Sequence, residues 1–283
     1  MPELPEVETI RRDLAADLRD ATIEGARLHH RDILLDGGPP ARFTAALAGL
    51  RIAGVERRGK NLLLRLEPGA LVLQAQVRMT GRFAVAGPED PRGMAVRERR
   101  GFRHVAAEFE LAGGRTLLYD DVRRLGGFRL QSAREWAARE ADLGPEPLEP
   151  DYRAADLAAA LGTGRAPVKN ALLDQRRVAG IGNIYASEAL FRARIDPRRP
   201  CADLDGTDLR RLHRALRAVL REALGSGGTT FSNYRAVNGR SGRFQERLRV
   251  YDREGEPCRR CGTAIRRIVQ AGRSTFFCPD CQA

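Results

Sequence analysis

Two cysteine pairs near the C-terminus constrain the fold of this 283-residue chain more tightly than anything else in it. Two residues separate Cys258 from Cys261, two separate Cys278 from Cys281, and 16 residues lie between the pairs. Four thiolates at that spacing suit one tetrahedral zinc ion, each pair on a tight knuckle and the intervening residues folded into a hairpin. Strand-like residues 264–269 and 274–277 flank a turn at Ala271-Gly272-Arg273, so Arg273 is expected at the hairpin tip. A four-thiolate site has no open ligand position, which makes the expected zinc structural rather than catalytic. In isolated zinc-finger peptides the metal supplies roughly 10–16 kcal/mol of folding energy. The fifth cysteine, Cys201, stands beside Pro200 and is read as inert. Four metal-spaced thiols argue for a reducing compartment over a disulfide framework.

The length suffices for two modest domains, each with its own core. A formal net charge of +12 points to a polyanionic partner. The basic residues are 47 arginines and only two lysines, Lys60 and Lys169. A lysine that survives such a bias marks a place where a guanidinium does not serve, because arginine holds its proton while lysine can release one. Residues 2–20 reverse the trend with six acids and three arginines. An acidic segment is a poor phosphate clamp, so if it meets nucleic acid it does so for chemistry. There is no apolar run of 18 residues and no hydrophobic signal region, and the chain is expected to be a soluble, intracellular monomer.

Short strand-like runs follow a first helix, at residues 22–30, 50–57, 61–66, 70–76, 82–85, 105–111 and 115–119. Turns separate them, so residues 1–135 are expected to form a β-sandwich or barrel with a helix added. Residues 136–152, with Gly144-Pro145-Glu146-Pro147, read as a linker. Helical patterns occupy residues 153–161, 168–174, 184–193 and 207–224, the last clearly amphipathic. Between the second and third lies Gly180-Ile181-Gly182-Asn183, a tight turn in which Asn183 is expected to cap the next helix and its N–H groups to favour a phosphate. A polar, Gly-rich stretch from 232 to about 243 fits a linker or a lid. Two turns, Val77-Arg78-Met79-Thr80-Gly81 and Asp120-Asp121-Val122-Arg123-Arg124-Leu125-Gly126, set apolar side chains among arginines. Such residues are either core or wedges that enter a base stack.

The N-terminus, Met1-Pro2-Glu3-Leu4-Pro5-Glu6, fits an ordinary helix start, with Pro5 in the first turn and Glu6 at the positive end. It also fits covalent chemistry. Without Met1, Pro2 is a free secondary amine beside a carboxylate, able to attack a sugar carbon by the Schiff-base logic a lysine uses. Terminal amines carry a reference pKa of about 7.7–8.0 against about 10.4 for lysine, so more of the amine is unprotonated near neutrality.

Taken in order, Pro2-Glu3-Leu4-Pro5-Glu6, Gly59-Lys60, Met79, Arg123, Lys169, Gly180 to Glu188 and the hairpin motif Gly272-Arg273-Ser274-Thr275-Phe276 resemble formamidopyrimidine-DNA glycosylases. The resemblance spans residues 2–282. It implies an α+β, two-domain fold: an N-terminal β-sandwich with an N-terminal helix, then a helix-two-turn-helix domain at 153–231. A lesion-recognition loop and connection at 232–250 and a four-cysteine zinc finger at 251–283 would follow. It further implies excision of oxidised purines, such as 8-oxoguanine and formamidopyrimidines, from duplex DNA, then strand cleavage by β- and δ-elimination. In cells such an enzyme works in the bacterial cytoplasm, on the nucleoid when DNA-bound. Pro2 would be the nucleophile and Glu3 the proton carrier, with Lys60 and Arg273 on the phosphates flanking the lesion. Met79, Arg123 and Leu125 would fill the space an extruded base leaves. Arg165, Lys169 and Asn183 would contact DNA nearby, and Cys258, Cys261, Cys278 and Cys281 would hold zinc. The chain departs from the family pattern at Leu125, where phenylalanine is usual, at Gln76-Val77-Arg78 in place of His-Leu-Gly, and at Val122 in place of proline. Two other readings compete: an endonuclease VIII-like enzyme for oxidised pyrimidines, against which Leu4 argues, and a DNA-binding relative without catalysis.

Overall fold

The computed structural model of the chain describes residues 2–90, 92–229, 237 and 241–282. It divides into two units, Met1–Glu140 with Gly227–Arg243, and Ala141–Ser226 with Phe244–Ala283.

The first unit opens with helix α1 (Leu4–Leu18), whose apolar stripe Val7, Ile10, Leu14 and Leu18 is buried as its 3.6-residue period requires. Eight strands follow: β1 (Ile23–Leu28), β2 (Arg51–Arg58), β3 (Asn61–Glu67), β4 (Leu71–Gln76), β5 (Gly81–Ala86), β6 (Val105–Leu111), β7 (Arg115–Asp121) and β8 (Gly127–Ser132). They form two antiparallel four-stranded sheets, ordered β1-β6-β7-β5 and β2-β3-β4-β8. Inward residues of both sheets share one core, in which the rings of Phe83, Phe109, Tyr119 and Phe128 lie 4.9–6.2 Å apart. This is the expected β-sandwich.

Three short helices were not legible from periodicity: α2 (Pro40–Leu47), α3 (Met94–Arg100) and α4 (Ala133–Glu140). Helix α4 occupies the start of the stretch read as linker. Ser132 and Glu135 cap it reciprocally, the Ser132 amide donating to Glu135 Oε2 at 2.8 Å and the Glu135 amide to Ser132 Oγ at 3.2 Å. It buries Trp136 on Leu63 and Val72.

Gly227–Arg243 returns to this first unit after the long helix of the second. Val237 is buried in the sandwich core, its amide donating to Asp13 at 3.1 Å and its carbonyl accepting from Arg100 at 2.6 Å. Most of the expected lesion-recognition loop, residues 232–236 and 238–240, lies outside the described residues.

The second unit holds α5 (Ala154–Leu161), α6 (Val168–Leu173), α7 (Asn183–Ala193) and α8 (Gly206–Gly225), then the hairpin β9 (Arg266–Gln270) and β10 (Arg273–Phe277). Leu212, Leu216, Val219 and Leu220 of α8 pack with Tyr185 and Leu190 of α7 and with Phe244. A smaller core of Phe191, Val250, Ile265, Phe276 and Cys258 seats the hairpin. No helix among the described residues is long and apolar enough to cross a membrane.

Candidate functional site

Pro2 and Glu3 lie immediately ahead of α1, and both are buried. Glu6, 2% exposed, fixes this corner from two sides: its Oε2 accepts the Glu3 amide at 2.8 Å and its Oε1 accepts the Thr229 amide at 2.7 Å. The sequence marked Glu6 only as favourable to a helix dipole. Its second partner is 223 residues away, and no local signal could have found it.

Lys60 is half-buried in the tight turn between β2 and β3. Arg57 reaches across that turn to the Gly59 carbonyl at 3.0 Å and bonds Glu8 of α1 at 3.2 Å. Burial pushes the Glu8 carboxyl up, but Arg11, Arg12 and Arg57 outweigh it and hold Glu8 below the usual carboxylate range. An ionised Glu8 thus ties the helix that begins just after Pro2 to the turn that presents Lys60.

Met79, Arg123 and Leu125 sit on the two turns that flank β5 and β7, and all three are exposed. Three of the five exposed large apolar side chains among the described residues, Met79, Val122 and Leu125, crowd these two turns. That is the opposite of a core assignment. Arg123 lies over Met79, its Nη1 3.2 Å from the sulfur. Gln76, at the place of the usual histidine, donates to Asn61 Oδ1 at 3.0 Å.

In the second unit Arg165 is exposed ahead of α6. Lys169, expected to touch DNA, does not reach the surface: it is 0% exposed. Its ammonium donates to Asn183 Oδ1 at 2.5 Å, Thr275 Oγ1 at 2.7 Å and the Ser274 carbonyl at 3.2 Å. An ammonium has three protons, and these three acceptors use them all. Asn183 departs from expectation as a helix cap only. Gly182 is the N-cap of α7, and the Asn183 side-chain amide donates instead to the Ser274 carbonyl at 2.9 Å. Lys169 is therefore a buried post joining α6, α7 and β10, and Arg273, exposed at the start of β10, is the residue next to its anchor. Lys169→Met is expected to weaken DNA binding about tenfold while leaving the slope of affinity against salt unchanged. A direct phosphate contact would lower that slope by about 0.9.

Glu188 of α7, fully buried, accepts the amides of Arg249, Val250 and Tyr251 at 2.9–3.0 Å and so docks the chain that enters the hairpin. Burial pushes its carboxyl up, and the three amides oppose the shift without cancelling it.

The four cysteine sulfurs lie within 4.8 Å of one another, with Cys258–Cys281 at 4.0 Å and Cys261–Cys278 at 3.4 Å. Zn–S bonds of about 2.3 Å in a tetrahedron need edges of about 3.8 Å, which these separations straddle. Hydrogen bonds at Thr263 pull the Cys261 thiol down to about 6, while burial and the adjoining sulfurs push Cys281 up to about 12. Such thiols cannot all ionise together near neutrality without a cation among them. Cys201 is buried and apart from them, and burial pushes its thiol up, in keeping with an inert residue.

Three family models match in chain order: the formamidopyrimidine-DNA glycosylase N-terminal domain over residues 1–128, the H2TH domain of the same enzymes over 143–235, and a zinc finger found in FPG and IleRS over 255–283. Formamidopyrimidine-DNA glycosylase of Chloroflexus aurantiacus is 46% identical over 283 residues, covering 100% of this chain and 98% of its own. The Heliobacterium modesticaldum enzyme of that name is 47% identical over 285 residues, with both chains covered in full. The chain belongs to the formamidopyrimidine-DNA glycosylase family.

Solved structures of the family agree. The MutM (Fpg) protein of Thermus thermophilus superposes with a TM-score of 0.85 at 41% identity, over 99% of this chain and 98% of that one. Lactococcus lactis Fpg in complex with abasic-site DNA gives 0.87 at 33% identity, over 99% of each. Membership makes the chain a DNA-repair glycosylase with a zinc finger, and the four-sulfur cluster is the seat of one structural zinc.

Proposed function

We propose that this formamidopyrimidine-DNA glycosylase removes oxidised purines, 8-oxoguanine and formamidopyrimidines, from duplex DNA and then cleaves the abasic strand by β,δ-elimination. The reading rests on Pro2-Glu3, an N-terminal proline and a carboxylate held at the head of α1 by Glu6. With Met1 removed, the Pro2 nitrogen attacks C1′ of the damaged nucleotide. The bond from C1′ to the base breaks and the base leaves with a proton, while the sugar ring opens to an iminium on Pro2. The cationic iminium acidifies C2′–H. Loss of that proton expels the 3′ phosphate, a second elimination expels the 5′ phosphate, and hydrolysis frees the amine. Glu3 carries protons at the sugar and the departing base.

Lys60 and Arg273 bind the flanking phosphates. An arginine is a poor proton donor, so phosphate binding is the larger share of Arg273's work. Extrusion of the base costs a few kcal/mol, and Met79, Arg123 and Leu125 occupy the gap it leaves. Arg165 and Asn183 contact the backbone nearby.

A second substrate class has one observation in its favour. Leu125 gives up aromatic stacking worth roughly 1–3 kcal/mol per base, which loosens selection among lesions. A panel of duplexes carrying 8-oxoguanine, a formamidopyrimidine or thymine glycol tests the proposal. The expected result is preference for the two purine lesions, with a one-nucleotide gap bearing phosphate on both ends. Preference for thymine glycol would assign the chain to oxidised pyrimidines, and an intact strand on every substrate would leave it a binder without catalysis.

A further inference from the structure

The two turns that carry Met79, Arg123 and Leu125 are joined by a polar knot beneath them. Asp121, the last residue of β7, is 0% exposed, yet no side-chain cation pairs with it among the described residues. Four neutral donors satisfy it instead. Thr80 Oγ1 and the Arg123 amide, at 3.3 Å, donate to Oδ1; the Tyr119 hydroxyl at 3.1 Å and the Gly126 amide at 2.9 Å donate to Oδ2. Thr80 Oγ1 in turn accepts the Arg123 amide at 3.1 Å. One carboxylate thus holds residues of both turns and the ring beneath them.

The packing is as tight as the bonding. A Cβ on Gly81 would stand 2.5 Å from the Tyr119 hydroxyl oxygen and 2.4 Å from the Val77 carbonyl oxygen. One on Gly126 would stand 2.2 Å from the same hydroxyl oxygen. Each turn also holds an arginine in the left-handed region, Arg78 and Arg124, both at φ 47°. Strained backbone and a buried carboxylate both cost stability and persist only where the surroundings fix them. A knot in the interior of a sandwich could serve stability alone. This one lies directly under three exposed side chains and bonds the amide of Arg123, itself one of the three.

We infer that Asp121, with Thr80 and Tyr119, is a positioning group that holds Met79, Arg123 and Leu125 as a single preset wedge, and so sets how strictly the enzyme discriminates the base opposite the lesion. The inference rests on the proposed role of these three side chains in the emptied stack. A wedge locked before it meets DNA loses no backbone freedom on insertion, and it meets the opposite base at one fixed angle. Burial and the Asp121 charge push the Tyr119 hydroxyl up, so it stays a protonated donor throughout the working pH range.

The measured quantity is the ratio of kcat/KM for 8-oxoguanine opposite cytosine and opposite adenine, alongside cleavage of a preformed abasic site in single-stranded DNA, which needs no wedge. Thr80→Val, which keeps the shape and removes the hydroxyl, is expected to move the ratio at least roughly tenfold towards unity, the lower end of what one lost hydrogen bond to a charged group is worth. Single-strand cleavage stays within about twofold, and Thr80→Ser restores the ratio. Tyr119→Phe moves it in the same direction and guards against a misfolded valine variant. An unchanged ratio in both folded variants, with Met79→Ala and Arg123→Ala altering it, overturns the positioning role alone. No change in any of the four removes the wedge reading and the inference with it. Equal losses on single-stranded and duplex substrates would overturn the inference by showing that the knot serves only the fold.

Discussion

Replacing Pro2 by glycine is expected to remove the covalent protein–DNA adduct that borohydride traps on an 8-oxoguanine duplex, and to lower strand cleavage by roughly a thousandfold or more, as loss of other covalent nucleophiles does. Two properties of the proline are lost together. Its ring fixes the nitrogen, where a terminal glycine is loose. Its Schiff base has no N–H proton to lose and stays cationic, so it remains an electron sink through both eliminations, whereas a primary amine gives an imine that can become neutral. Protein that retains Met1 has an amide nitrogen at Pro2 and is expected to be inactive as well. An adduct that survives in Pro2→Gly would move the nucleophile elsewhere, with Lys60 the first place to look.

Stripping the zinc is expected to lower affinity for lesion duplex at least about a hundredfold. The hairpin between the cysteine pairs has a small apolar core, Val250, Ile265 and Phe276 with Phe191, so the metal carries most of its folding. Its unfolding removes more than Arg273. The Ser274 carbonyl and Thr275 hydroxyl help fix Lys169 and Asn183, so loss of the hairpin strips a buried ammonium of two acceptors at once. Zinc content and duplex affinity measured together through chelation and re-addition of metal check this. Full affinity at zero zinc would separate the hairpin from DNA binding. Because the ligands are thiolates, acid should release the metal before it unfolds the sandwich.

Much of this was legible in the residues. The stripe Val7, Ile10, Leu14, Leu18 specifies burial directly and is realised, and each strand-like run read between residues 22 and 119 holds a strand. The cysteine spacing specifies a closed site. Strand β8 escaped because Gly126-Gly127 reads as a turn and because Gln131, although buried, is polar; it is accommodated by a bond to Gln74 Oε1 at 3.2 Å. Helix α4 carries a capping box in plain sight at Ser132 and Glu135, masked by the Gly-Pro segment after it. Lys169 escaped for a different reason. Its rarity rightly marked it as special, but α6 has only six residues, too few for periodicity to reveal an inward face. The four donors on Asp121 were beyond reach too, since they depend on two turns some 40 residues apart meeting in space.

The return of Gly227–Arg243 to the first unit bears on how the molecule is made. Neither unit is a continuous stretch of chain, and the polypeptide passes between them three times. During synthesis the sandwich therefore emerges early but lacks the Thr229 amide for Glu6 and Val237 for its core until the helices of the second unit have been made. The corner that carries Pro2 is completed only after Thr229 has been made, so a product truncated before that point would hold the proposed nucleophile in an unfinished setting.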